Sequence, residues 1–321
     1  MLHNLKRTFY FLRGHIRKYV AGIIGMTLLQ TGAALLESYL LRKILNAGKE
    51  QDVYTIWIML CVFIGFIVII LCLLPVFHFW FNGQAKYGFG NVNKKLYHKL
   101  CNLPVGYFER NHSGSILAYF IGDTWGVAGI FMRHFKRVLS AVIMIVVYLI
   151  PMLVFDYRVG SLVFFINIIS MFVNVKFSAK LKRQRSNIQK QNEQTIKDMS
   201  NIVENMSVIR VYGLQEKMLS QFKKNYAEIF GMEKERAAAD SGLASYNYGI
   251  RMLCMGIYLL AGMVLVQEEL STYGNIFAIW SLQKSMSASF RELGDFFPKL
   301  VENLASTERV YSFLDIKEET L

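Results

Sequence analysis

The sequence predicts an all-α membrane protein with six transmembrane helices and long cytosolic extensions. Three observations carry that reading. Long apolar runs recur along the 321 residues, of which 54% are hydrophobic. The connections between the runs are alternately rich and poor in Lys and Arg. The longest connection, 176–236, holds no Pro and is filled with strong helix formers.

A helix needs about 20 apolar residues to cross a bilayer. The run 53–81 contains no Asp, Glu, Lys or Arg, and neither do 19–36, 138–155 and 159–175. The run 248–266 carries one charge, Arg251. Basic residues precede the first run as they would in a secretory signal. No small-x-small cleavage site follows and further spans come after, which marks an uncleaved first helix. Pro75 is placed to kink the second span.

The net charge of +13 is organised rather than diffuse. Residues 1–18 hold five Lys/Arg, 82–137 hold eight and 176–236 hold thirteen. The intervening connections hold three in 41–52, one in 156–158 and none in 267–273. This is the positive-inside bias, with both termini in the cytosol. The basic blocks are long and interleaved with acids, as in a solvated helix face, and no nucleic-acid partner is expected. Anionic lipid headgroups are the expected counter-charge.

Alternation from side to side requires a sixth span, in 273–297. Hydropathy alone misses it, because Gln283, Lys284, Arg291, Glu292 and Asp295 interrupt it. A polar span is accommodated where one face lines a wet cavity.

The cytosolic connections are unusual. A structureless loop of 61 residues is improbable in a compact domain. The fourth span is expected to continue as a helix into the cytosol, turn near residues 206–213 and return as the start of the fifth. Thirty helical residues extend about 45 Å. The connection 82–137 repeats the pattern, with a break at Pro104 and a turn at Ser113-Gly114. Each extension is tipped by a short transverse helix, near 111–119 and 206–214, placed to dock something cytosolic.

No catalytic constellation accompanies this layout. Cys61, Cys72, Cys101 and Cys254 lack metal-ligand spacing and read as free thiols. His15, His78, His98, His112 and His134 are scattered and read as core or surface residues. Glu37, near the outer end of the first span, reads as a partner of Arg42 or Lys43, or as a group that meets substrate.

The segment "LPVGYFERNHSGSILAYFIGD", 103–123, resembles the first intracellular loop of the transmembrane domain of ABC exporters (the type IV fold). Pro104, Phe108, Ser113, Gly114 and Asp123 fall on that pattern. Glu109 stands where Asp is usual, and Tyr119 where a basic residue is frequent. "SVIRVYGLQEK" is similar to the second coupling helix through Val208, Ile209, Tyr212 and Glu216. "ASTERVYSFLD" resembles the close of the sixth helix, and "LKRTFYFLRGHIRKY" the elbow helix on the inner membrane surface. The four motifs follow the family's order along the sequence, and the resemblance covers essentially the whole chain.

The resemblance implies an elbow helix at 1–18, a six-helix exporter domain at 19–315 and the start of a linker at 316–321. It implies a domain-swapped dimer, homo- or heteromeric, in the plasma membrane. It also implies that the two tips dock into nucleotide-binding domains, through Phe108, Ser113, Gly114, Tyr119, Asp123, Val208, Ile209, Arg210, Tyr212 and Glu216. ATP and Mg would belong to that partner domain. This sequence has no Gly-rich turn followed by Lys-Ser/Thr to cradle phosphates, so no cofactor is expected here. The implied function is the substrate-translocating part of an ATP-driven exporter of peptides, lipids or drug-like amphiphiles. The alternative class is an ATP-independent channel or secondary carrier, which has no need of long cytosolic hairpins.

Lys284, Ala288, Arg291 and Asp295 share one face of the sixth helix, at i, i+4, i+7 and i+11. Lys284 falls near the bilayer midplane, Arg291 near the inner interface and Arg251 at similar depth on the fifth helix. Cations at such depths are costly against lipid. Arg251, Lys284 and Arg291 are therefore candidate lining of a substrate pathway, with an Arg291–Asp295 pair as the purely structural alternative for Arg291.

Overall fold

The computed structural model describes residues 2–50, 53–110, 116–117 and 119–316, and every regular element among them is helical. Ser113 and Gly114, and the linker residues beyond 316, lie outside the described residues. The chain forms two units, Met1–Ile168 with Ile257–Leu321, and Ile169–Gly256.

The chain opens with α1 (Leu2–Tyr10), then α2 (Ile16–Glu50) and α3 (Val53–Cys101). Pro75 lies inside α3, which is continuous through it. A break at Pro104 separates α3 from the short α4 (Val105–Arg110). Next come α5 (Thr124–Gly129) and α6 (Phe135–Phe155), with π-type turns at Tyr119–Asp123 and Ile130–His134. Asp156 is extended and ends α6. Its carboxylate accepts from the backbone N–H groups of Arg158 and Val159 at 3.0 and 3.3 Å, capping α7 (Tyr157–Glu204). The rest is α8 (Met206–Val211), α9 (Gln215–Gln267) and α10 (Tyr273–Leu314). The Thr272 hydroxyl caps α10 by accepting from Asn275 N–H at 3.3 Å.

Among the described residues five helical stretches are long and apolar enough to cross a membrane: Ile16–Asn46, Tyr54–Cys101, Thr124–Phe155, Tyr157–Phe177 and Gln215–Gln267. The 42-residue α10 is not among them, for the reason the sequence gives: its polar residues lower its hydropathy.

In the first unit α2 packs along α3, and α10 packs against α6 and α2. The α2–α3 approach depends on glycine. A Cβ on Gly22 would sit 2.9 Å from the Phe81 amide nitrogen and 3.0 Å from the Phe77 carbonyl oxygen. Phe11, Leu12, Tyr19, Phe81, Leu96, Phe131, Val310 and Phe313 form the core that joins α1, α2, α3 and the end of α10. Tyr19 donates its hydroxyl hydrogen to the Phe131 carbonyl at 2.7 Å. Apolar packing of rings around one satisfied polar contact fixes α2 against the π-type turn.

Higher along the bundle, the Thr27 and Ser140 hydroxyls share a 2.7 Å bond, and Ser38 donates to the Ala278 carbonyl at 3.0 Å. Glu37 makes neither of its expected ion pairs among the described residues. The Arg42 guanidinium lies over the Phe155 ring at 4.9 Å and the Lys43 ammonium over Tyr39 at 6.0 Å. Both cations rest on aromatic faces near a helix end, where such contacts compete well with an exposed carboxylate.

Candidate coupling surface and substrate pathway

The second unit is a helical hairpin built from the later part of α7, the turn containing α8, and the earlier part of α9. Polar rungs join its arms. Asn174 and Asn247 exchange amide hydrogen bonds at 3.0 and 2.8 Å. Farther along, Asn225 donates to Asp198 at 3.1 Å.

The turn at its end is closed by Gly213, whose φ of +66° is the left-handed conformation that favours glycine. Leu214 N–H donates to the Ile209 carbonyl at 3.0 Å and Gly213 N–H to Arg210 at 3.4 Å, a Schellman-type ending. Ile209 is the inward residue, 7% exposed. It lines a cleft of about 280 Å³ between the arms, with Ile202, Met218 and Phe222. Val208, Arg210, Tyr212 and Glu216 are exposed, with Tyr212 at 73% and its neighbour Val211 at 81%. An anchored helix thus presents an apolar and aromatic outer face to solvent, the composition of an interface rather than of a free surface.

The residues expected at the first tip divide by role. Phe108 is exposed, whereas Tyr119 is half-buried and packs at a tilt against Phe313 with ring centroids 5.0 Å apart. Asp123 is buried, and its Oδ1 accepts from Arg309 Nε at 2.8 Å and Nη2 at 2.5 Å. Arg309 Nη2 also donates to Ser306 Oγ at 3.2 Å. The hydrogen bond to Asp123 raises the Arg309 pKa above its ordinary value, so the guanidinium stays charged. Tyr119 and Asp123 therefore hold the start of the 119–155 segment onto the end of α10.

Among the pathway candidates, Lys284 and Arg291 are exposed on α10 in the first unit. Arg251, in the second, is exposed with its guanidinium 5.7 Å from the Tyr248 ring centre. Arg291 forms no direct ion pair with Asp295 among the described residues. The interhelical pair is Arg137 with Glu292, at 2.5 Å.

Beside Lys284 runs a polar ladder that sequence reasoning missed. Gln283 donates to Ser287 Oγ at 3.2 Å, and Ser287 donates to Asn167 Oδ1 at 2.5 Å. Asn167 Nδ2 in turn donates to the Val163 carbonyl at 2.9 Å. Gln283 and Ser287 at i, i+4 were a visible signal, but Asn167 sits inside an otherwise clean apolar run. The ladder satisfies polar side chains where lipid offers no partner.

The family model of the ABC transporter transmembrane region matches residues 20–290. The chain belongs to this family. Together with the five apolar helical stretches, membership makes it an integral membrane protein.

This ABC transmembrane region is similar to transporter and flippase proteins of several organisms. A multidrug resistance ABC transporter ATP-binding and permease protein of Lactococcus lactis is 22% identical over 238 residues, 72% of this chain and 39% of the relative. An ATP-dependent lipid A-core flippase of Wigglesworthia glossinidia brevipalpis is 20% identical, over 75% of this chain and 41% of the relative. An ABC-type oligopeptide transporter of Rattus norvegicus is 17% identical, over 68% and 29%. The ABC transmembrane region described here thus spans less than half the length of each of these three.

Proposed function

We propose that this chain is the substrate-translocating half of an ATP-driven exporter. It crosses the membrane six times, with α10 as the sixth span, and works as a dimer. The observation that carries the reading is the tip formed by α8. From the end of the apolar stretch Tyr157–Phe177 to the end of α7 at Glu204, the helix runs about 40 Å at 1.5 Å per residue. A carrier has no use for such an extension, whereas a protein driven by a cytosolic motor does. Val208, Val211, Tyr212 and Leu214 would enter a groove on a nucleotide-binding domain. ATP and Mg would be held there, and hydrolysis would move the tips.

The cargo we infer is an amphiphile with an acidic group, a class that includes peptide carboxylates and lipid phosphates. Lys284 and Arg291 would give it a cationic path beside the Gln283–Ser287–Asn167 ladder. The names of the relatives cover drugs, a lipid and oligopeptides, which fits amphiphiles in general. The test is substrate-stimulated ATPase activity of the complete transporter with Lys284→Ala and Lys284→Glu. Weakened apparent affinity for an acidic substrate, more so for Glu, is expected. Unchanged affinity in both would remove the cationic path.

A further inference from the structure

A second cationic site lies at the other end of the chain, between the α1–α2 turn and α3. A pocket of about 390 Å³ is lined by Tyr10, Phe11, Arg13, Asn91, Lys94, Lys95 and His98. Its walls are fixed by specific contacts. Asn91 Nδ2 donates to the Phe11 carbonyl at 3.0 Å, tying the turn to α3. Gly14, at φ +86°, makes the left-handed bend that leaves Arg13 beside Tyr10. Leu12 is buried in the core, and Phe11 belongs both to that core and to the pocket wall.

Arg13, Lys94 and Lys95 form no ion pair among the described residues. Lys95 Nζ stands 4.4 Å from the Tyr10 ring centre and 5.2 Å from that of Phe11, and the Arg13 guanidinium is 5.7 Å from Tyr10. Two cations thus share one aromatic ring, with Lys94 adjacent. No Asp or Glu occurs in residues 1–36 or 53–108, so neither wall can supply a counter-ion. Aromatic faces offset part of the repulsion, but like charges this close favour a bound anion. The site lies 10 to 17 residues past Phe81, the end of the apolar run. At 1.5 Å per residue that is about 15–25 Å along α3, beyond the apolar run and suited to a polar group.

We propose that this pocket binds a terminal phosphate group, of a monoester or an anhydride, with Arg13, Lys94 and Lys95 as its ligands. Arg13 supplies a planar fork for two oxygens, and the lysines supply point charges. His98 stands at the wall with Nδ1 3.2 Å from the Asn102 amide. The group comes either from a lipid headgroup or from a soluble phosphate.

The purified 321-residue chain in neutral detergent would be titrated with dioleoylphosphatidic acid and, separately, with inorganic pyrophosphate. Bound probe would be read by native mass spectrometry, with dioleoylphosphatidylcholine as the zwitterionic control. Arg13→Gln with Lys95→Gln should weaken binding of at least one anionic probe about tenfold, the scale of losing charge-assisted hydrogen bonds. Lys180→Gln, an exposed cation of the second unit, should leave it unchanged. Loss with phosphatidic acid alone assigns the site to lipid, and loss with pyrophosphate as well assigns it to phosphate in general. Wild-type binding in the double variant would overturn the proposal. So would equal weakening by Lys180→Gln, or phosphatidylcholine binding as tightly as phosphatidic acid.

Discussion

Arg309 near the end of α10 and Asp123 at the end of the first π-type turn, 186 residues apart, form a two-point ion pair. The carboxylate is buried and the guanidinium largely exposed. The two partners are therefore not equivalent. Removing the arginine strands a buried charge, whereas neutralising the aspartate removes the charge with its need. Arg309→Gln should cost about 1–3 kcal/mol, the penalty for an unsatisfied buried polar group, and Asp123→Asn should cost less. Thermal unfolding of both variants and of the double variant decides this. Equal losses in the two single variants would contradict it.

Glycine is required at only some positions of the bundle. Gly22→Ala drives a Cβ into the Phe77–Phe81 backbone, which cannot swing aside as a side chain can. Overpacking of this kind costs about 1–3 kcal/mol. Gly83→Ala, in the same α3 helix with nothing within 4 Å of the added Cβ, should be neutral or stabilise by about 0.5–1 kcal/mol. The comparison is made by unfolding in a single detergent.

The tip separates anchoring from display. Ile209→Ala should open the cleft beneath α8 and cost about 2 kcal/mol or more of local stability. Val211→Ala, at a residue that touches solvent, should leave stability within about 0.5 kcal/mol. Amide hydrogen exchange across 205–218 reads both. Faster exchange with Val211→Ala would place that side chain inside the fold.

Tyr311 donates its hydroxyl hydrogen to the Arg7 carbonyl at 2.8 Å, holding the end of α10 on α1. Burial raises its pKa to about 12 from an ordinary 10. The folded state thus keeps the phenol proton longer than the unfolded chain does. The contribution is fully present below pH 10 and is lost as pH rises through about 12. Stability should therefore fall between about pH 10 and 12, and Tyr311→Phe should flatten that fall. An unchanged alkaline limb in Tyr311→Phe would show that the phenol does not titrate there.

Several of these features were legible in the sequence, for physical reasons. The long α7 and α9 follow from helix formers in a stretch without Pro, and their reversal from the glycine that interrupts it, Gly213. Charge alternation placed a span at 273–297, where hydropathy argued against one, and a helix runs from Tyr273 through that stretch to Leu314. The Asp123–Arg309 clasp was not legible, because both residues stood in separate motifs with nothing to mark them as partners. Asn167 was hidden by the apolar run around it, since a single amide barely changes a hydropathy average. Glu37 was expected near a lysine or arginine, but the aromatic rings that hold Arg42 and Lys43 lie on other helices or one turn away.

The measurement closest to the central claim is coupling in the proposed transporter, this chain reconstituted together with a nucleotide-binding domain. ATPase activity and substrate movement would be followed in the same vesicles for wild type, Tyr212→Ala and Glu216→Ala, at equal expression. The account predicts that basal hydrolysis persists while transport per ATP drops sharply, and that the isolated 321-residue chain hydrolyses no ATP. Normal transport by Tyr212→Ala, or ATPase activity in the isolated chain, would contradict it.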